Sequence, residues 1–221
     1  MSKIVVILDE TPASQRLGVA MLRSIGEIVE SVQFTTVAEL PAVASAKAIY
    51  CPMTLDLPPT FEFWGQSIGR SCQEIDRLRD LAATTTGVEV GDGGNLWLPI
   101  IWTAQDSIYG EIIGTSGDDD YRQSIDLEAS ERQQLDRFSY QLLTQLTAPA
   151  ATYLLQFSQA ERGIIFDRLF PFPAIPALAS IGVGQLDLFD CHWRCITGQS
   201  IDRQCVDKAE LGSDILTKYL T

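Results

Sequence analysis

The sequence predicts a mixed α/β (α+β) chain, and three observations predict it. Short β-branched runs alternate with helix-periodic segments at the start, an amphipathic helical stretch follows, and strand pairs flanking a long helix fill the remainder. These divide the chain into residues 1–57, a helical connector at 58–87, and a second lobe at 88–221.

Ile4 to Leu8 is short, continuous and apolar, as a buried strand is, and Ser14 to Val29 then sets Leu17, Met21, Ile25 and Ile28 at helical spacing. Val32 to Val37 and Ala48 to Met53 are further strands, separated by a short helix-like piece from Glu39 and Leu40. A strand–helix–strand alternation of this kind predicts a small three-layer unit with a parallel sheet. Pro52, Pro58 and Pro59 end it.

From Thr60 to Thr86, Phe63, Ile68, Cys72, Ile75, Leu78 and Leu81 trace one apolar stripe, so one helix is expected, with Gly87 as its C-terminal cap. Gly91-Asp92-Gly93-Gly94 turns the chain into a strand at Leu96 to Thr103. A second strand at Ile108 to Ile113 would complete an antiparallel hairpin. Glu128 to Leu146 carries Leu135, Phe138, Leu142, Leu143 and Leu146 on one helical face, with Pro149 beyond its end. Strands at Tyr153 to Phe157 and Ile164 to Phe170, a proline-rich link and a helix at Leu186 to Ile196 complete the lobe.

Composition excludes several functions. A formal charge of −13, with only four lysines and no basic window, gives no electrostatic grip on nucleic acid or an anionic membrane. No apolar run approaches the ~18 to 20 residues of a membrane span, and Ile4 to Leu8 is too short for a signal peptide core, so a cytoplasmic location is expected. Five cysteines, an odd number, suit reduced thiols better than a disulfide framework.

Candidate chemistry is sparse. Cys191, His192, Cys195 and Cys205 invite a metal, but on a helix Cys191 and Cys195 share a face while His192 is turned by about 100°, and the spacing is not a zinc knuckle. Packed thiols are the competing reading. His192 is the only histidine, so it is either a general base or a packed side chain. The glycines at 91–94 lack the Lys-Ser or Lys-Thr of a phosphate loop, and Asp118, Asp119 and Asp120 lack the alternation of a calcium loop. Asp167-Arg168 is a charged pair inside an apolar strand, which must face either a partner or a cavity.

The second lobe resembles the C-terminal lobe of ATP-grasp proteins, of the biotin carboxylase and purine-pathway carboxylate-amine ligase type. The resemblance covers Val88 to Ile201 and rests on Leu96-Trp97-Leu98-Pro99, Leu154-Leu155-Gln156-Phe157, Phe166-Asp167-Arg168-Leu169-Phe170-Pro171 and the segment Leu188 to Gly198. It implies that the first 55 residues are the Rossmann-like unit preceding the grasp. It also implies two magnesium-binding carboxylates on adjacent strands, where this chain has Gln156 and Arg168, with Asp167 alone at an oxygen-ligand position. The family's lysine-bearing subdomain would fall between Met53 and Val88, which contains no lysine.

Two readings follow. In the first, the chain is a non-catalytic binding, assembly or regulatory protein with no cofactor. Gln156, Asp167, Arg168, Phe170 and Phe172 would then contact a protein partner, a second copy of the chain or an anionic small molecule. In the second, it is an ATP- and magnesium-dependent ligase or other nucleotide-binding enzyme in which Asp167, Glu111 and His192 carry the chemistry.

Overall fold

The computed structural model describes residues 3–26, 32–41, 44–63, 65–115, 121–123, 125–161 and 163–206. The expected Asp118-Asp119-Asp120 loop and Ile28 lie outside these residues.

The chain opens with β1 (Lys3–Leu8), α1 (Pro12–Ile25), β2 (Val32–Thr36), a 3-10 turn (Val37–Glu39) and β3 (Ala48–Pro52). The three strands form a parallel sheet in the order β2-β1-β3, so β1 is central and its Ile4 to Ile7 are all buried. The start of α1 is fixed locally: Thr11 Oγ1 accepts the Ser14 N–H, and Pro12 supplies a first-turn residue that needs no donor. Leu17, Met21 and Ile25 then pack against one face of the sheet. The expected third layer is not helical. Val5 and Ile7 on the opposite face are covered by Phe61, with Leu57 and Phe63 beside it, from the irregular segment after β3.

The single connector helix expected over 60–86 is two helices, α2 (Gln66–Gln73) and α3 (Ile75–Thr86). Gly65 has φ +89°, in the left-handed region, so the helix cannot begin before it. Glu74 leaves the helical region at φ −83°, ψ 68° and breaks the stripe. Gly87 caps α3 as expected, at φ +73°.

The second sheet runs β4-β10-β9-β5-β7-β8, with β6 on the side of β5. Its strands are β4 (Glu89–Val90), β5 (Leu96–Trp102), β6 (Ser107–Tyr109), β7 (Ile113–Thr115), β8 (Tyr121–Gln123), β9 (Ala151–Ala160) and β10 (Gly163–Phe170). The strand expected at 108–113 is split into β6 and β7. Pro99 accepts the Gly110 N–H at 2.9 Å but has no N–H to return, so the ladder stops there. α4 (Ala129–Gln145) and α5 (Leu188–Ile196) sit close to their expected bounds; α5 begins at a capping box in which Asp187 and Asp190 each take the other's N–H.

Alternation along β9 divides the core. Tyr153, Leu155 and Phe157 join Leu135, Phe138, Leu142 and Phe166 beneath α3 and α4. Leu154 instead meets Trp97, Phe172, Phe189 and Trp193, and through α5 reaches Met21 and Ile25 of α1. One apolar cluster therefore continues from the parallel sheet to the antiparallel one.

Gly94, just before β5, lies against the backbone of β9. A Cβ there would lie 2.9 Å from the Phe157 carbonyl oxygen and 2.9 Å from Gln156 Cγ, and the former cannot move without disturbing the ladder. Gly94→Ala is expected to cost about 1–3 kcal/mol through overpacking, read as a fall in the urea midpoint with the slope unchanged.

Candidate functional site

The strand positions singled out by the resemblance are brought together. β9 and β10 pair antiparallel with Gln156 opposite Arg168, and the register slips between Phe166 and Arg168, making Asp167 a bulged residue. A bulge turns a side chain out of the alternation. Here it sends the Asp167 carboxylate, 4% exposed, toward α3 and the glycine loop.

Both carboxylate oxygens are taken. Arg79 Nη2 donates to Asp167 Oδ1 at 2.7 Å, and Arg79 Nε to the Asp167 carbonyl at 2.9 Å. The Gly94 N–H donates to Asp167 Oδ2 at 2.9 Å. Arg168 Nε makes a longer contact with Oδ1, at 3.3 Å. Arg79 also reaches the exposed Asp92 at 2.6 Å. Partial burial works against the Arg79 charge, but the hydrogen bonds and charges of Asp92 and Asp167 outweigh it, and its pKa rises. Gln156 donates its amide to the Gly94 carbonyl, closing the loop over the strand pair.

The other expected site residues lie apart from this cluster. Phe172 is 4% exposed and belongs to the core around Trp193, a correction to the expected Phe-Pro contact surface; Phe170 is half-buried and stacks edge-on against it. Glu111 stands exposed between β6 and β7. His192 is buried on α5, where Nδ1 accepts the Thr152 N–H at 3.1 Å and ties the helix to β9. Burial pulls its pKa down to about 4, so it is a neutral imidazole at pH 7, the form whose Nδ1 can accept that N–H.

The thiols are packed rather than ligating. Cys51, Cys72, Cys191 and Cys195 are buried, Cys205 is half-buried, and all are free. Burial pushes Cys51 and Cys195 up to about 12, with Cys72 and Cys191 also raised, so none is a thiolate nucleophile. Among the described residues no group of three or more His, Cys, Asp or Glu side chains could hold a metal ion. No helix there is long and apolar enough to cross a membrane.

A cavity of about 250 Å3 opens at a different place, along β3, between the segment leading into α2 and the start of β9. Tyr50, Phe61 and Phe63 form one aromatic wall, their ring centroids 5.1 to 5.9 Å apart, and His192 and Arg70 also face it.

This strand order, a parallel unit leading into a mostly antiparallel sheet backed by helices, is an ATP-grasp-like fold. Carboxyaminoimidazole ribonucleotide synthase from Aspergillus clavatus, solved with ATP, superposes with a TM-score of 0.72 at 10% identity over 94% of this chain and 80% of its own. Glycinamide-RNase-transformylase T from Mycobacterium tuberculosis gives 0.68 at 14% identity over 97% and 87%. L-amino acid ligase from Bacillus licheniformis gives 0.57 at 7% identity over 89% and 74%. No protein-family model and no curated protein sequence matches the chain. At these identities the likeness is one of fold.

The sequence does not disclose Arg79 and Gly94 as partners of Asp167, nor Asp92 as the second carboxylate on Arg79. Arg79 lies 88 positions away and reads as an ordinary polar residue on an amphipathic helix. The cavity was equally hidden, since its wall is gathered from β3, the irregular segment, α2, β9 and α5.

Two outcomes follow. Arg79→Leu leaves a buried carboxylate short of its main partner and is expected to cost about 3–5 kcal/mol in urea unfolding. Arg168→Leu, at a side chain 41% exposed, is expected to cost under about 1 kcal/mol. His192 carries a pH dependence of definite sign. Its folded pKa lies near 4, below its ordinary 6.5, so the unfolded chain binds the proton first and stability is lost as pH falls from 6.5 toward 4. Between pH 7 and 4 the wild type should lose about 3 kcal/mol more than His192→Asn.

Proposed function

We propose that this chain is a non-catalytic protein on an ATP-grasp fold, acting as a binding, assembly or regulatory partner. The observation that carries the reading is the engagement of both Asp167 oxygens by Arg79 and Gly94, beside Gln156 and Arg168. Magnesium bound to nucleotide phosphates needs anionic oxygens open to the metal. Here the first position is a neutral amide, the second a cation, and the one carboxylate between them already holds an arginine. The residues present do not fit a magnesium site, and no step of acyl-phosphate chemistry is derived through one.

A binding role is also consistent with the buried, unreactive thiols and with a neutral, packed His192, which leave few groups for substituted catalysis. The free cysteines suit a reducing compartment such as the cytoplasm.

Mg-ATP provides the test. A surviving nucleotide site would stabilise the fold by about 2.7 kcal/mol at a hundredfold excess over its Kd. No change in Tm at millimolar Mg-ATP and no release of ADP are expected. A saturable Tm increase with ADP release in the presence of a carboxylate and an amine would instead establish the ligase reading.

A further inference from the structure

The cavity along β3 has chemistry of its own. It is many times the ~30 Å3 that one water takes up in the liquid, and its lining is mostly apolar, with the Tyr50, Phe61 and Phe63 rings on one side and Ile68 and Pro149 among the rest. Arg70 is the only charged side chain on the lining, and no carboxylate faces it among the described residues.

Two donors remain unspent there. His192 is 2% exposed, and its Nδ1 is committed as acceptor to the Thr152 N–H. The ring proton of this neutral side chain is therefore on Nε2, the nitrogen away from Thr152, and no acceptor among the described residues takes it. Among the described residues the fully buried side-chain atoms left without a partner are Thr36 Oγ1 and Thr152 Oγ1, so Nε2 is not sealed in the core; on the cavity lining its proton is open to a ligand oxygen or nitrogen. Among the described residues Arg70 uses only Nη2, toward the Pro59 carbonyl at 2.5 Å and Gln66 Oε1 at 3.2 Å. Its Nε and Nη1 have no partner among the described residues, although the guanidinium is held in place by those two contacts.

We propose that this cavity binds a compact aromatic carboxylate. The ring lies against the Tyr50 and Phe61 wall, an oxygen of the ligand accepts the His192 Nε2 proton, and Arg70 answers its single negative charge. A cationic ligand would find no counter-charge on the lining. A polyphosphate would meet one arginine in a protein of net charge −13. A plain hydrocarbon would leave the histidine donor unmet. The assignment deepens the binding reading above and rests on it, but it uses none of the residues around Asp167.

The chain's single histidine makes the test site-specific, because the imidazole nitrogen signals of uniformly 15N-labelled protein belong to His192 alone. Titration with 2-naphthoate is expected to shift the Nε2 signal saturably, with 2-naphthylmethylammonium binding at least tenfold more weakly. Arg70→Gln should weaken naphthoate at least tenfold while leaving the amide spectrum of the folded protein in place. No movement of the Nε2 signal at millimolar naphthoate, or equal affinity in wild type and Arg70→Gln, would overturn the proposal. Mg-ATP added in parallel separates the two readings. A response to naphthoate with none to Mg-ATP supports both, a response to each upholds the cavity alone, and a response to Mg-ATP only removes both.

Discussion

The Arg79–Asp167 pair is the interaction on which the second lobe depends. An ionised carboxylate buried to this degree is tolerable only when paired and hydrogen-bonded. Asp167 meets that condition with one guanidinium and one backbone N–H, supplied by elements distant in the chain. The same carboxylate thereby fixes three things. It holds α3 against β10, pins the 91–94 loop at the entrance to β5, and secures the bulge that sets the register of β9 against β10. Gln156, bonded to the Gly94 carbonyl from the neighbouring strand, closes the other side of that loop.

The functional consequence follows from the same geometry. A carboxylate that serves the fold through both oxygens cannot also open toward a metal without surrendering Arg79. Flanked by Gln156 and Arg168, it makes this part of the sheet a structural joint between β9, β10, α3 and the 91–94 loop. At the edge of the first unit, β3, the irregular segment after it and α5 enclose space lined by aromatic rings, Arg70 and His192. His192 belongs to both aspects, since Nδ1 ties α5 to β9 while the ring faces the cavity.

Elements governed by local pattern were legible in the sequence. β1, α1, α4, β9, β10 and α5 could be read because apolar spacing acts within a few residues, as does the Gly87 cap of α3; the Thr11 cap and the Asp187 box act as locally but emerged only in the structure. The pairing of Gln156 with Arg168 on adjacent strands was legible too, through the strand motifs around them. Where expectation failed, the cause was a backbone constraint that the apolar stripe concealed: the left-handed Gly65 and the non-helical Glu74 cut one helix into two, and Pro99 cut one strand into two. What Asp167 faces was not legible at all. A charged pair in an apolar strand announces that a partner exists, and only the packing of α3 selects Arg79 over Arg168.

A double-mutant cycle between Arg79 and Asp167, using Arg79→Leu, Asp167→Asn and the double variant in urea unfolding, tests this account most directly. A coupling energy of about 2 kcal/mol or more is predicted, because Arg79 is the nearest charged partner of Asp167 and both side chains are largely desolvated, whereas Asp92, the other carboxylate on Arg79, is exposed. A coupling near zero would contradict it, and would mean that the Asp167 carboxylate is available for something other than holding the fold.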